Sequence, residues 1–73
     1  MKEKIIALME EVLQVPEGMV TEDTRMEDLE EWDSLAHVML IGELEEKLGI
    51  EISLDEAVEI TTVREILEKA GVL

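Results

Sequence analysis

Apolar residues recur at helical spacing over residues 3–14. Ile5, Leu8, Met9 and Val12 fall at i, i+3, i+4 and i+7, and Ile6 and Leu13 widen the stripe. Glu3, Lys4, Glu10, Glu11 and Gln14 are assigned to the opposite, polar face. Val15-Pro16-Glu17-Gly18 ends this element, because a residue preceding proline is steered away from helical angles and glycine supplies a turn. Residues 19–33 carry no long period and are read as a long loop. Within it, Thr24 and Glu27 are expected to cap one short turn that carries Met26 and Leu29 inward.

A second helix is expected over residues 34–48, stopped by Gly49. On it His37, Leu40, Ile41, Leu44 and Leu48 share one face. Leu35, Val38, Met39 and Gly42 form a second apolar strip, read as further core, with a docking surface as the alternative. Glu43, Glu46 and Lys47 take the remaining face. Ile50-Glu51-Ile52 is an extended connector. Ser53 with Glu56, and Thr62 with Glu65, match capping boxes that start a short helix near 54–59 and a last helix near 63–70. Val63, Ile66, Leu67 and Ala70 form the final stripe, and Gly71 closes it. The pattern predicts an all-α single domain over residues 1–73: a small four-helix bundle of three longer helices and one short one.

Composition sharpens this picture. With 73 residues, no Phe, no Tyr and a single Trp, the core must be aliphatic. A chain of this size buries only about 60% of its unfolded surface. The absence of cysteine removes disulfides, thiolate metal sites and a cysteine nucleophile; any working thiol must come from outside the chain. The formal net charge of −14 argues against nucleic acid and anionic membranes and favours partners with basic patches. No segment approaches the ~20 apolar residues of a membrane span, and Met1-Lys2-Glu3-Lys4 does not lead into a signal-peptide core. A soluble, cytoplasmic, monomeric protein is therefore expected.

Candidate chemistry centres on Glu31-Trp32-Asp33-Ser34-Leu35. Ser34 is either an ordinary N-cap, or it stands free in the first turn while Asp33 does the capping; on residue chemistry alone the ordinary cap has the stronger claim. A nucleophilic serine needs a base in reach and a group to orient that base. The one histidine, His37, lies a turn along the apolar side of the same helix, where it is expected simply to pack. Autonomous catalysis is not expected. The acidic loop, with seven acids and one Arg between Glu22 and Asp33, lacks the alternating ligands and central glycine of a calcium loop. It is read as a solvated rim with no metal site. Trp32 is expected to anchor the loop on the bundle.

These residues also carry a family resemblance. Asp33-Ser34-Leu35, opening a helix that ends Leu44-Glu45-Glu46-Lys47-Leu48-Gly49-Ile50-Glu51-Ile52, resembles the acyl carrier protein family. Asp55-Glu56-Ala57 and Ile60-Thr61-Thr62-Val63 resemble that family's short third helix and the start of its fourth. The likeness spans nearly the whole chain in order and spacing. It implies that Ser34 receives a 4′-phosphopantetheine arm from coenzyme A, added by a separate magnesium-dependent phosphopantetheinyl transferase, with Asp33 helping to present the serine. The arm's thiol would carry acyl groups as thioesters to acyl-loading and acyl-transfer enzymes, which would dock on Leu35, Ala36, Met39, Glu43 and Glu46.

Glu31 and Ala36 stand where fatty-acid carriers usually have a glycine and an acid, and Met39 where they often have another acid. These departures favour a specialised carrier over the housekeeping fatty-acid one. An aminoacyl or peptidyl carrier, and an acidic interaction module that is never modified, stay open as alternatives.

Overall fold

The computed structural model describes all 73 residues, Met1–Leu73. Four helices follow in order: α1 (Lys2–Leu13), α2 (Ser34–Leu48), α3 (Leu54–Ala57) and α4 (Val63–Lys69), with a single 3-10 turn, Met26–Asp28, in the long α1–α2 loop. This is the expected all-α small bundle of three longer helices and one short one. The principal pairing is α1 against α2. Each of these two helices brings an aliphatic stripe to one core: Ile5, Leu8, Met9 and Leu13 from α1, and Leu40, Ile41 and Leu44 from α2. Val63, Ile66 and Leu67 of α4 close it, with Ile50 and Ile52 of the connector and Trp32 of the loop.

Helix ends follow local chemistry. Gly49 terminates α2 at φ 68°, a left-handed conformation in which a Cβ is unfavourable. Ser53 and Glu56 cap α3 reciprocally, as do Thr62 and Glu65 at α4. α1 ends one residue earlier than expected, at Leu13, because Gln14 takes the left-handed cap at φ 58°. α3 is shorter than expected: the chain leaves the helix at Val58 and turns through Glu59 into the buried Ile60.

Two expectations about the first half of the chain are corrected. Glu10, assigned to the polar face, is 8% exposed. Its carboxylate accepts from the backbone N–H groups of Gly18 at 2.8 Å and Val20 at 3.2 Å, satisfying donors in the turn that follows α1. Thr24 and Glu27 do not form a capping box. The short turn is shifted by one residue, and Asp28 accepts from the Arg25 N–H at 2.9 Å. Thr24 is otherwise engaged: its hydroxyl accepts from the Thr21 N–H at 2.9 Å and its carbonyl from the Val63 N–H at 3.0 Å. With the Met26 N–H donating to the Thr61 carbonyl at 2.7 Å, this stitches the long loop to the start of α4. Met26 and Leu29 do turn inward and pack against the core.

Candidate functional site

The first turn of α2 is built so that its hydroxyl is left over. Asp33 has extended backbone angles and is the N-cap, and its carboxylate accepts from the Ala36 N–H at 2.8 Å. Ser34 is thereby the first helical residue, solvent-exposed, with its hydroxyl taking no part in the cap. Of the two readings left open by residue chemistry, Asp33 as cap is the one that forms. The chain's other serine, Ser53, is differently placed. Its hydroxyl accepts from the Glu56 N–H at 3.2 Å and donates to the Glu56 carboxylate at 3.1 Å, so it is committed to holding α3.

Behind Ser34 the loop is pinned. Trp32 is 2% exposed, as expected of an anchor, and its indole N–H donates to His37 Nδ1 at 2.9 Å. His37, 7% exposed, is packed as expected, but it does more than fill space. With Nδ1 accepting, Nε2 carries the ring proton and donates to the Ala57 carbonyl at 2.8 Å. Both ring nitrogens are occupied in the interior, so the imidazole is not free to act as a base toward the exposed Ser34.

The second apolar strip of α2 is not core. Leu35 is 71% exposed, Val38 59% and Met39 53%, which settles the choice between further core and an open surface in favour of the surface. Leu35, Ala36 and Met39 line a shallow groove of about 360 Å³ together with Val12, Leu13 and Asp33. Val38 faces the other way, into a cleft of about 260 Å³ between α2 and α3 whose walls include Leu54 and Val58. Both side chains, at the start and just past the end of α3, are 71% exposed, and neither was singled out from the sequence as part of a surface. The signal was available: Leu54 and Val58 are four apart on one face of α3, opposite no core partner.

The expected docking acids sit farther along α2. Glu43 is half-buried and pairs with Lys47 at 3.3 Å, and this hydrogen-bonded partner, more than any other charge, raises the Lys47 pKa above its ordinary value. Glu46 is exposed and outside the ion pairs. Near Ser34 the exposed acids Glu27, Asp28, Glu30, Glu31 and Asp33 form a negative rim, relieved only by the Arg25–Glu27 pair at 3.4 Å.

Comparison with known proteins agrees with this geometry. A family model described as a phosphopantetheine attachment site matches residues 3–69. An acyl carrier protein of Thermosynechococcus vestitus is 43% identical over 67 residues, covering 90% of this chain and 82% of the relative. Another from Rubrobacter xylanophilus is 41% identical over 71 residues, covering 92% and 88%. The solution NMR structure of holo acyl carrier protein from Geobacter metallireducens superposes with a TM-score of 0.83 at 24% identity, over 96% of this chain and 80% of that one, a likeness of fold. The chain belongs to the acyl carrier protein family, the carriers built around a phosphopantetheine attachment site. It is a carrier and not a catalyst, and its cofactor is covalently attached 4′-phosphopantetheine. Membership also brings interaction with a phosphopantetheinyl transferase and with acyl-handling enzymes. No helix is long and apolar enough to cross a membrane.

The residues present suit that group. An attachment point needs an exposed hydroxyl with room for a long substituent and no competing bond, and Ser34 meets these conditions where Ser53 does not. A phosphodiester at Ser34 would stand at the N-terminal end of a 15-residue helix, where the backbone dipole favours negative charge.

Proposed function

We propose that Ser34 is the residue that carries the 4′-phosphopantetheine arm, and that Asp33 presents it to the transferase. The observation that carries this reading is the division of labour at the start of α2: Asp33 caps the helix, so the Ser34 hydroxyl is exposed and uncommitted. Asp33 does two things at once. It fixes the first turn, so Ser34 keeps one orientation, and it adds charge beside the nucleophilic oxygen for a cationic partner to recognise.

When attached, the arm supplies a terminal thiol that holds acyl groups as thioesters. The protein's part is to hold the arm's root rigidly while leaving its tip mobile, so that cargo reaches each partner at high effective concentration. Leu35, Ala36 and Met39 form the apolar contact beside the root, and Glu43, Glu46 and the acidic rim steer partners that carry basic patches. Such steering is favoured by the excess of 20 acids over 6 basic residues. The carrier works as a single domain, a monomer, in the cytoplasm.

Ala36 and Met39 replace acids on the docking face, which supports a specialised acyl pathway over housekeeping fatty-acid synthesis. Partner choice there rests more on apolar fit than on charge.

Incubation with coenzyme A, magnesium and a permissive phosphopantetheinyl transferase, followed by intact mass, tests the reading. One arm on the wild type and none on Ser34→Ala is the expected result. An unmodified wild type in the presence of a transferase active on a control carrier points instead to an interaction module.

A further inference from the structure

Trp32 and His37 take no part in the attachment chemistry, yet they bracket it. Their side chains are buried and hydrogen-bonded to each other across Asp33, Ser34, Leu35 and Ala36, the first three exposed and Ala36 half-buried. The ring centroids are 5.9 Å apart, so the contact closes a short ring of chain around the serine. The backbone tightens the same ring, with the His37 N–H donating to the Asp33 carbonyl at 2.9 Å. From its other nitrogen His37 reaches the Ala57 carbonyl, at the last residue of α3. One neutral imidazole thus ties together the loop before Ser34, the start of α2 and the end of α3.

Apolar side chains would fill this space without the cost of burying an indole N–H and an imidazole. What the polar pair adds is direction: each bond is satisfied in only one arrangement. α3 needs that direction. It is four residues long, its one buried side chain is Ala57, and Leu54 at its start and Val58 just past its end face water. Core packing alone gives it little grip, and its other side-chain tie, Glu56 to Lys69 of α4 at 2.8 Å, is an exposed ion pair. The His37 bond sets where Leu54 and Val58 stand relative to Val38, across the cleft that flanks Ser34's helix.

We infer that Trp32 and His37 are positioning residues for the modification of Ser34: they hold the serine and the α3 wall in the one relative placement that the phosphopantetheinyl transferase meets. This rests on Ser34 being the attachment site. The transferase is the occupant in question because Ser34 must enter its active site, and Leu35 and Val38, one residue and one turn along the same helix, go with it.

Initial rates of arm transfer, measured by intact mass with purified transferase, coenzyme A and magnesium against carrier concentration, test the inference. Each variant is assayed where circular dichroism shows it folded. Trp32→Phe keeps an aromatic ring but removes the donor, so Nδ1 is released from the loop before Ser34 while Nε2 still donates to the Ala57 carbonyl. His37→Leu removes both bonds. His37→Gln keeps one acceptor and one donor on neighbouring atoms. KM for the carrier is expected to rise about tenfold in Trp32→Phe and His37→Leu, a loss of about one well-placed hydrogen bond, with kcat changed less than about twofold and His37→Gln close to wild type.

Unchanged KM in folded Trp32→Phe and His37→Leu, even with lowered melting temperatures, overturns the positioning role and leaves the Ser34 reading intact. A fall in kcat at constant KM overturns it as well. Failure of the wild type to accept an arm overturns the Ser34 reading itself. Should His37→Leu not fold, the comparison of Trp32→Phe with His37→Gln decides.

Discussion

The indole N–H of Trp32 donates to His37 Nδ1 at 2.9 Å, and this bond fixes the tautomer that lets His37 hold the Ala57 carbonyl. The loop before Ser34, the start of α2 and the end of α3 therefore depend on one ring. His37→Leu leaves the buried Trp32 N–H without a partner, costing about 1–3 kcal/mol, and takes one bond of about 0.5–1.5 kcal/mol from the Ala57 carbonyl, which keeps the Ile60 N–H at 3.1 Å. The variant is expected to lose about 2–4 kcal/mol of stability in urea denaturation, and His37→Gln about 1 kcal/mol or less. Trp32, the only tryptophan, reports the transition by its own fluorescence. Equal stability of the two variants would contradict the bonding pattern.

Glu10 anchors the turn after α1 through the Gly18 and Val20 N–H groups. Replacing it with Ala removes two charge-assisted bonds from a buried position, and a loss of about 1.5–3 kcal/mol is expected. The check is amide hydrogen exchange. The Gly18 and Val20 amides should lose protection more than those of α4, and a uniform change across the chain would count against a local anchoring role.

At the opposite end of the fold, the Glu65 carboxylate is held below the ordinary glutamate pKa. The Thr61 N–H, donating at 2.9 Å, is the largest cause, helped by the Thr62 N–H and both hydroxyls. A lowered folded-state pKa means that the stabilisation is fully present above the unfolded value and is lost as pH falls through the folded one. The stability difference between wild type and Glu65→Gln should therefore be largest at about pH 7 and narrow toward about pH 3. A gap that is constant or widens on acidification would rule out this ionised cap.

Charge crowding gives a further expectation. Five of the six Lys and Arg side chains are in ion pairs, among them Lys69–Glu56 at 2.8 Å and Arg64–Asp23 at 3.1 Å, and most of the 20 acids have no such partner. Repulsion among them is screened over about 10 Å at 0.1 M salt. The melting temperature should rise between about 10 mM and about 150 mM salt, and rise further with magnesium. A flat response would show that the acids are spaced widely enough not to interact.

Much of the fold was legible because its long helices are amphipathic and its caps are local. The stripes of α1, α2 and α4, the Gly49 stop and the boxes at Ser53–Glu56 and Thr62–Glu65 all depend on residues within a turn of one another. The misplaced features depend on contacts from elsewhere in the chain. The Thr24 hydroxyl and N–H are both taken by Thr21 instead of capping with Glu27, in a segment that Val63, far along the sequence, holds by the Thr24 carbonyl. Glu10 is buried because the turn at Gly18 folds back onto it. Leu35, Val38 and Met39 are apolar at helical spacing whether or not a neighbour covers them, so periodicity alone did not separate core from surface. His37 was legible as packed, but its two partners, Trp32 and Ala57, come from separate segments.

The central claim is that Ser34, and not Ser53, carries the arm. Fragmentation mass spectrometry of the modified protein reads the position directly. The account predicts a single arm on Ser34, with Ser53 unmodified because its hydroxyl is bound into the α3 cap. An arm located on Ser53, or one that persists in Ser34→Ala, would contradict it.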